Sequence, residues 1–184
     1  MAMVLLSLAA SVASIAHAAD ATAGKKQSAP QKNASAKPAV AEARARAELL
    51  HDAMHATLIT VHHEYYREDE GLTIPAVTLK NVFQELSDRH RVQLHWLAVN
   101  AQAMNVDHEP QDEFEERAVK ALKEGQAFHE ETSDGRYRRA APVVLANDCL
   151  KCHLPNRTST AARRAALSIT FEVAEEPARQ AGSD

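Results

Sequence analysis

The stretch Cys149-Leu150-Lys151-Cys152-His153 constrains this chain more than any other, because Cys149 and Cys152 are its only cysteines. Three chemistries use Cys-x-x-Cys. A thioredoxin-like redox pair sits where a strand opens into a helix of a βαβ unit. A closed zinc site needs four ligands, with a second pair at a recognisable spacing. No second Cys-x-x-Cys and no following His-x3–5-His is present. The third use is covalent haem attachment, in which both thiols add to haem vinyl groups and the adjacent histidine ligates the iron. Two intervening residues let both sulfurs meet one porphyrin edge while His153 swings under the metal. The pentapeptide favours haem. A haem-free binding module with a Cys149–Cys152 disulfide is the bland alternative.

The compartment implied by the N-terminus agrees with haem attachment. Val4 to Ile15 is a short apolar run, followed by the small-residue signal Ala16-His17-Ala18. This pattern predicts a secretory signal peptide over 1–18, too short to span a bilayer, although no Lys or Arg precedes the apolar run. In an oxidising compartment thiols become disulfides unless another chemistry claims them. The chain is therefore expected to be exported, periplasmic or beyond, with no transmembrane segment after processing. A formal net charge of −4 and a pI near 6.2 argue against nucleic acid as a partner.

Residues 19–39 are rich in Ala, Lys, Ser, Gln and Pro without periodic hydrophobics, and read as a disordered linker; the tail 175–184 reads likewise. One domain over 40–174 remains, large enough for a core. From Val40 to about Asp69, Leu50, Met54, Leu58, Val61 and Tyr65 recur at helical spacing. His51, His55 and His62 fall about 60–100° from the centre of that stripe, while His63 points away. Gly71 is expected to end this helix. A second helix follows with Pro75 in its first turn and Leu79, Val82, Phe83 and Leu86 inward. The segment 91–99 alternates as a strand, Val92, Leu94, Trp96 and Ala98 to one side and Gln93, His95, Leu97 and Val99 to the other. After a polar loop over 100–111, Asp112 and Glu115 form a capping pair for a helix ended by Gly125. Segments 126–131 and 137–145 read as strands joined at Ser133-Asp134-Gly135, and 165–173 as a last strand. Helices with an antiparallel sheet make the fold class α+β, unlike the all-helical pattern of small soluble cytochromes c.

Several motifs occur together and in order: Asp112-Glu113-Phe114-Glu115, then Tyr137-Arg138-Arg139-Ala140-Ala141-Pro142, then Cys149 to His153. With them, the chain from roughly Leu72 to Val173 resembles a bacterial family of exported haem proteins with a PAS-like fold. Members of that family occur alone and as sensor regions. The resemblance implies a PAS-like antiparallel sheet flanked by helices, with haem c against a long N-terminal helix. It also implies Cys149 and Cys152 as attachment residues and His153 as the proximal ligand. Some relatives take a cysteine from the N-terminal helix as second axial ligand. This chain has no cysteine to spare.

The sixth iron position then has other candidates. Neutral imidazole suits iron. His62 is the first expectation, with His55 second and Met104 the non-histidine option; a Met ligand raises the potential relative to bis-His. Arginines crowd the haem segment in sequence, and their planar forks match propionate carboxylates. Arg138 and Arg157 are the expected propionate contacts. The stretch 61–70 also collects His62, His63, Glu64, Glu68 and Asp69, but adjacent histidines diverge on a helix, which disfavours a separate metal site. The functional expectation is one covalent haem for single-electron transfer through a redox partner protein, or for redox or small-gas sensing. A peroxidase-type haem enzyme with an open distal site is the rival from another class.

Overall fold

The computed structural model describes residues 36–100, 103, 105–145, 149–150, 161 and 163–174, with Glu68 described by its backbone alone. The expected signal peptide, the greater part of the expected linker, and the tail lie outside the described residues.

Helix α1 spans Val40–Glu64. It ends sooner than its periodicity suggests. Tyr65, the next residue of the apolar stripe, is 72 % exposed, so no burial extends the helix there. Gly71 closes a separate one-turn helix at Glu68–Glu70, where its φ of 65° suits a residue without Cβ. Residues 36–39, the end of the expected linker, are tied to the domain: Pro38 is buried and its carbonyl accepts from the Ala174 amide at 2.9 Å.

Helix α2 spans Pro75–Arg89 with Pro75 at its first turn, where a missing N–H costs no helical bond. Leu79 and Phe83 are buried, whereas Val82 is exposed, so the inward face is narrower than expected. Phe83 packs on Trp96 with ring centroids 5.0 Å apart, and the Trp96 indole donates to the Ala76 carbonyl at 3.2 Å.

The sheet comprises β1 (Val92–Ala98), β2 (His129–Ser133), β3 (Arg136–Leu145) and β4 (Arg163–Glu172). Its spatial order is β1-β4-β3-β2, antiparallel throughout. Between β2 and β3 the two turn residues, Asp134 and Gly135, both have positive φ (51° and 67°), the turn whose twist matches a hairpin. Phe128, expected inside β2, precedes it and is exposed.

Strand alternation divides the core between two faces. Val92 and Trp96 of β1, Tyr137 and Val143 of β3, and Leu167, Ile169 and Phe171 of β4 pack with Ala43, Ala47, Leu79 and Phe83 of α1 and α2. The intervening residues Leu97, Ala140 and Ala166 meet Phe114, Ala118, Val119 and Leu122 of α3, Glu113–Lys123. The result is an α+β fold, an antiparallel sheet flanked by helices with a long N-terminal helix, consistent with a PAS-like arrangement. Among the described residues no helix is long and apolar enough to cross a membrane.

Candidate functional site

The side chains of α1 that border its apolar stripe form a second row. Arg44, Glu48, His51, His55 and His62 fall within a sector of about 60° at 100° per residue. The first members show which way the row faces. The Arg44 guanidinium pairs with Glu130 of β2 at 2.8 Å and lies 5.7 Å from the Tyr137 ring centre. Glu48 meets Arg139 of β3 at 3.4 Å. Contacts therefore advance along β3 as they advance along α1, and the helix runs in the sense of that strand. From Glu48 to His62 the helix rises about 21 Å, and from Arg139 to Leu145 the strand covers about 20 Å.

Strand β2 does not follow β3 over that distance. Its first residue, His129, pairs with Ala140. From Ala141 to Leu145, β3 keeps β4 on one side but has no strand on the other among the described residues. Pro142 suits this place, since a residue without an N–H belongs where no ladder bond is required. Past Ala140 that edge of β3 stays without a strand neighbour among the described residues, and Cys149 follows Leu145 by four residues in sequence. Cys149 is half-buried and Leu150 is buried.

The histidines of the row differ. His51 keeps 12 % of its side-chain surface. Its Nδ1 lies 3.2 Å from the Asp52 carboxylate, and its Nε2 is buried without a hydrogen-bond partner among the described residues. Such an atom costs about 1–3 kcal/mol if nothing satisfies it. Burial, with His51 beside it, pushes the His55 imidazole below its ordinary value; the two rings lie 5.7 Å apart. His62 packs against Tyr66 at 4.9 Å. His63 is exposed beside Glu64.

Of the expected cofactor contacts, Cys152, His153 and Arg157 lie outside the described residues, as does Met104. Arg138 is described, and it points to the α3 side of the sheet, away from α1. Its guanidinium binds Asp112 at 2.7 Å, donates to the Thr170 hydroxyl at 3.2 Å and lies 4.2 Å from the Phe114 ring centre. Those contacts occupy it. Arg139, its neighbour on the α1 side, binds Glu130 at 2.9 Å and lies 3.8 Å from the Phe128 ring centre.

Two polar clusters escaped sequence reasoning. In one, Glu130 accepts from Tyr137, Arg139 and Arg44, locking α1 to the β2–β3 hairpin. Burial, then the Glu130 carboxylate, pushes the Tyr137 hydroxyl up to about 12. In the other, Glu115, in the first turn of α3, is buried. It does not return to the Asp112 amide as a capping pair would. Asp112 does cap, accepting from the Glu115 amide at 3.0 Å, but the Glu115 carboxylate accepts from the Gln111 amide and from His95 Nδ1, each at 3.0 Å. The other His95 nitrogen meets the Asp107 carbonyl. Burial opposes charge on both partners. The hydrogen bonds outweigh it, so His95 is raised by Glu115 and the Asp107 carbonyl, and Glu115 is lowered by His95 and the Gln111 amide. The signal available was His95 on the strand face shared with Leu97 and Val99, where a histidine needs a partner.

A family model described as Tll0287-like matches residues 31–170. The chain belongs to the Tll0287-like family. A solved structure agrees on the fold: the cyanobacterial heme-protein Tll0287 aligns with a TM-score of 0.54 at 13 % identity, over 74 % of this chain and 98 % of that one. No curated protein matches this chain. The Tll0287-like match takes in α1, the whole sheet except the last residues of β4, and the Cys149–His153 segment.

Proposed function

We propose that this Tll0287-like chain is an exported monohaem c-type protein. Cys149 and Cys152 would hold haem c through thioether links, and His153 would ligate its iron. The observation that carries this reading is the Cys149-Leu150-Lys151-Cys152-His153 motif within the Tll0287-like match, in a chain whose α1 meets β3 on the side that also carries histidines. One residue of the histidine row of α1 fits such a group: the buried His51 Nε2, without a hydrogen-bond partner among the described residues, is the kind of donor an iron ion accepts. The haem-protein character of Tll0287 adds to this.

When bound, haem supplies one-electron iron chemistry, tuned by its axial ligands and its surroundings. The chain's own residues hold and insulate it. The row on α1 holds the imidazoles, His51, His55 and His62, that could serve as a second ligand to its iron. Arg44, Glu48, Glu130 and Arg139 close the site at the end where β2 begins. Arg138 is occupied at the start of α3, so Arg157 is the arginine proposed to meet a propionate. The function is single-electron transfer with a separate redox partner protein, or reporting of redox state to one.

The test is an alkaline pyridine spectrum after acid–acetone extraction of the purified protein. Covalent haem survives extraction and gives a c-type spectrum. A colourless residue would refute attachment, and extractable haem would refute the thioether links. Carbon monoxide added to the reduced form tests the axial position: no fast binding is expected if an α1 side chain fills it.

A further inference from the structure

We infer that His95 is a proton-operated latch on the one-turn helix Val106–His108: with both ring nitrogens protonated it holds the Asp107 carbonyl, and on losing one proton it gives up that carbonyl for the Gln111 side-chain amide. The latch lies on the α3 side of the sheet. None of its residues is proposed to hold haem, so it does not depend on the haem reading.

The partners of this imidazole dictate where its protons sit. Nδ1 lies 3.0 and 3.1 Å from the two Glu115 carboxylate oxygens, which only accept. Nδ1 therefore carries a proton. Nε2 meets the Asp107 carbonyl, also an acceptor, and so carries one as well. A ring that donates from both nitrogens is the charged imidazolium. Gln111 supplies the alternative: its side-chain nitrogen lies 3.2 Å from the same Nε2. An amide N–H cannot donate to a protonated Nε2, but it can donate to a bare one. The ring thus has one set of partners for each charge state, and Nε2 cannot serve both at once.

The groups around the ring decide which proton leaves. Burial opposes charge on Glu115 in α3, but His95, the Gln111 backbone amide and Ser168 of β4 hold it below its ordinary range as a carboxylate. Arg138 of β3 adds its charge 3.6 Å from Glu115 while binding Asp112. Nδ1 therefore keeps its proton and Nε2 gives one up. A bare Nε2 turns its lone pair on the Asp107 carbonyl, and that contact becomes repulsive. Burial favours the loss, and so does Lys80 of α2; the bonds to Glu115 and the Asp107 carbonyl outweigh both and keep the ring charged past its ordinary 6.5. The latch is shut below 6.5 and opens as pH climbs through the raised value. The one-turn helix then keeps the Asn105 side chain on the Asp107 amide at 3.0 Å and the Lys80 pair with the Asp107 carboxylate at 3.2 Å. His108, the other titratable group there, also favours charge on that carboxylate. The Lys80–Asp107 pair is exposed and is a weak tether.

The experiment is a pH titration, by nuclear magnetic resonance, of the full chain labelled with 15N and 13C and kept under reductant. The His95 ring should titrate with a midpoint above 6.5. The Asp107 carbonyl carbon and the Gln111 side-chain amide should shift with that same midpoint, and 15N relaxation should show Val106–His108 loosening on the alkaline side. His95→Leu should abolish the pH dependence of these signals. Gln111→Ala, at an exposed residue, should raise the His95 midpoint, because the neutral ring loses its donor; this variant keeps the idea open to refutation should His95→Leu misfold. An unchanged or lowered midpoint in Gln111→Ala would show that the amide does not serve the neutral ring, and would overturn the exchange of partners. A His95 titration that leaves Asp107 and its one-turn helix unmoved would overturn the latch.

Discussion

A single carboxylate, Glu115, shows how one residue ties several elements together. It is 4 % exposed in its side chain, and it joins β1 through His95 to the Gln111 amide at the entry of α3. Glu115→Ala leaves His95 without its partner. Breaking such a pair should destabilise the domain by about 3 kcal/mol, the low end for a buried pair because His95 keeps 23 % exposure. A shift in the urea midpoint at unchanged m-value would measure it. The pH dependence follows from the same contacts. His95 is raised above its ordinary 6.5, so its contribution is full below 6.5 and is lost as pH climbs through the raised value. Glu115 is lowered from 4.5, so its contribution is full above 4.5 and is lost as pH falls through the lowered value. The pair is therefore strongest between these limits. His55, lowered by burial and His51, has the opposite sign to His95 and weakens the fold as pH drops below 6.5. Comparing wild type with Glu115→Gln separates them: the alkaline loss due to His95 should shrink in the variant, leaving the part that the Asp107 carbonyl supports, and an undiminished loss would contradict this account.

At the scale of elements, local chemistry sets where helices and turns begin. Asp112 caps α3 and also receives Arg138 from β3, so it links helix start to sheet. Asp112→Ala should cost about 1–2 kcal/mol, the upper part of the range for a lost N-cap. A smaller loss for Asp112→Asn, which keeps the cap but not the charge, would apportion the two contacts in thermal unfolding. The β2–β3 turn needs Gly135 at φ 67°, a conformation that costs an L-residue about 1–2 kcal/mol. Gly135→Ala should lose about that much, because space is not the obstacle: a Cβ there would meet only the Val173 carbonyl, at 4.0 Å. An unchanged melting temperature would contradict the turn assignment. These elements were legible in the sequence because their signals are local. Pro75, the Asp-Gly turn, the alternation of β1 and the Asp112 cap each depend on a few neighbouring residues. The end of α1 was not, because it depends on Tyr65 finding nothing to pack against. The partners of Glu115 and Arg138 were not, because they come from strands that meet α3 only once the chain is folded. The histidine row was visible as an angle on a helical wheel, but the direction it faces is set by Arg44 and Glu48 reaching β2 and β3.

For the whole molecule, one domain carries helices on both faces of a four-stranded sheet, and β3 outruns β2. That mismatch leaves an edge that a sheet would otherwise cover, since an unpaired edge invites association with other chains. In the proposed state haem adds apolar surface to a modest core. A Cys149→Ala/Cys152→Ala chain should consequently unfold at lower urea than the haem-loaded protein, and equal midpoints would argue against a haem packed into the fold. The central claim, a porphyrin joined to Cys149 and Cys152, is tested most directly by the intact mass of the processed chain from a host that assembles c-type cytochromes. The account predicts the mass of the polypeptide plus one haem under denaturing conditions, reduced to the bare polypeptide in the double cysteine variant. A wild-type mass equal to the bare polypeptide would contradict it.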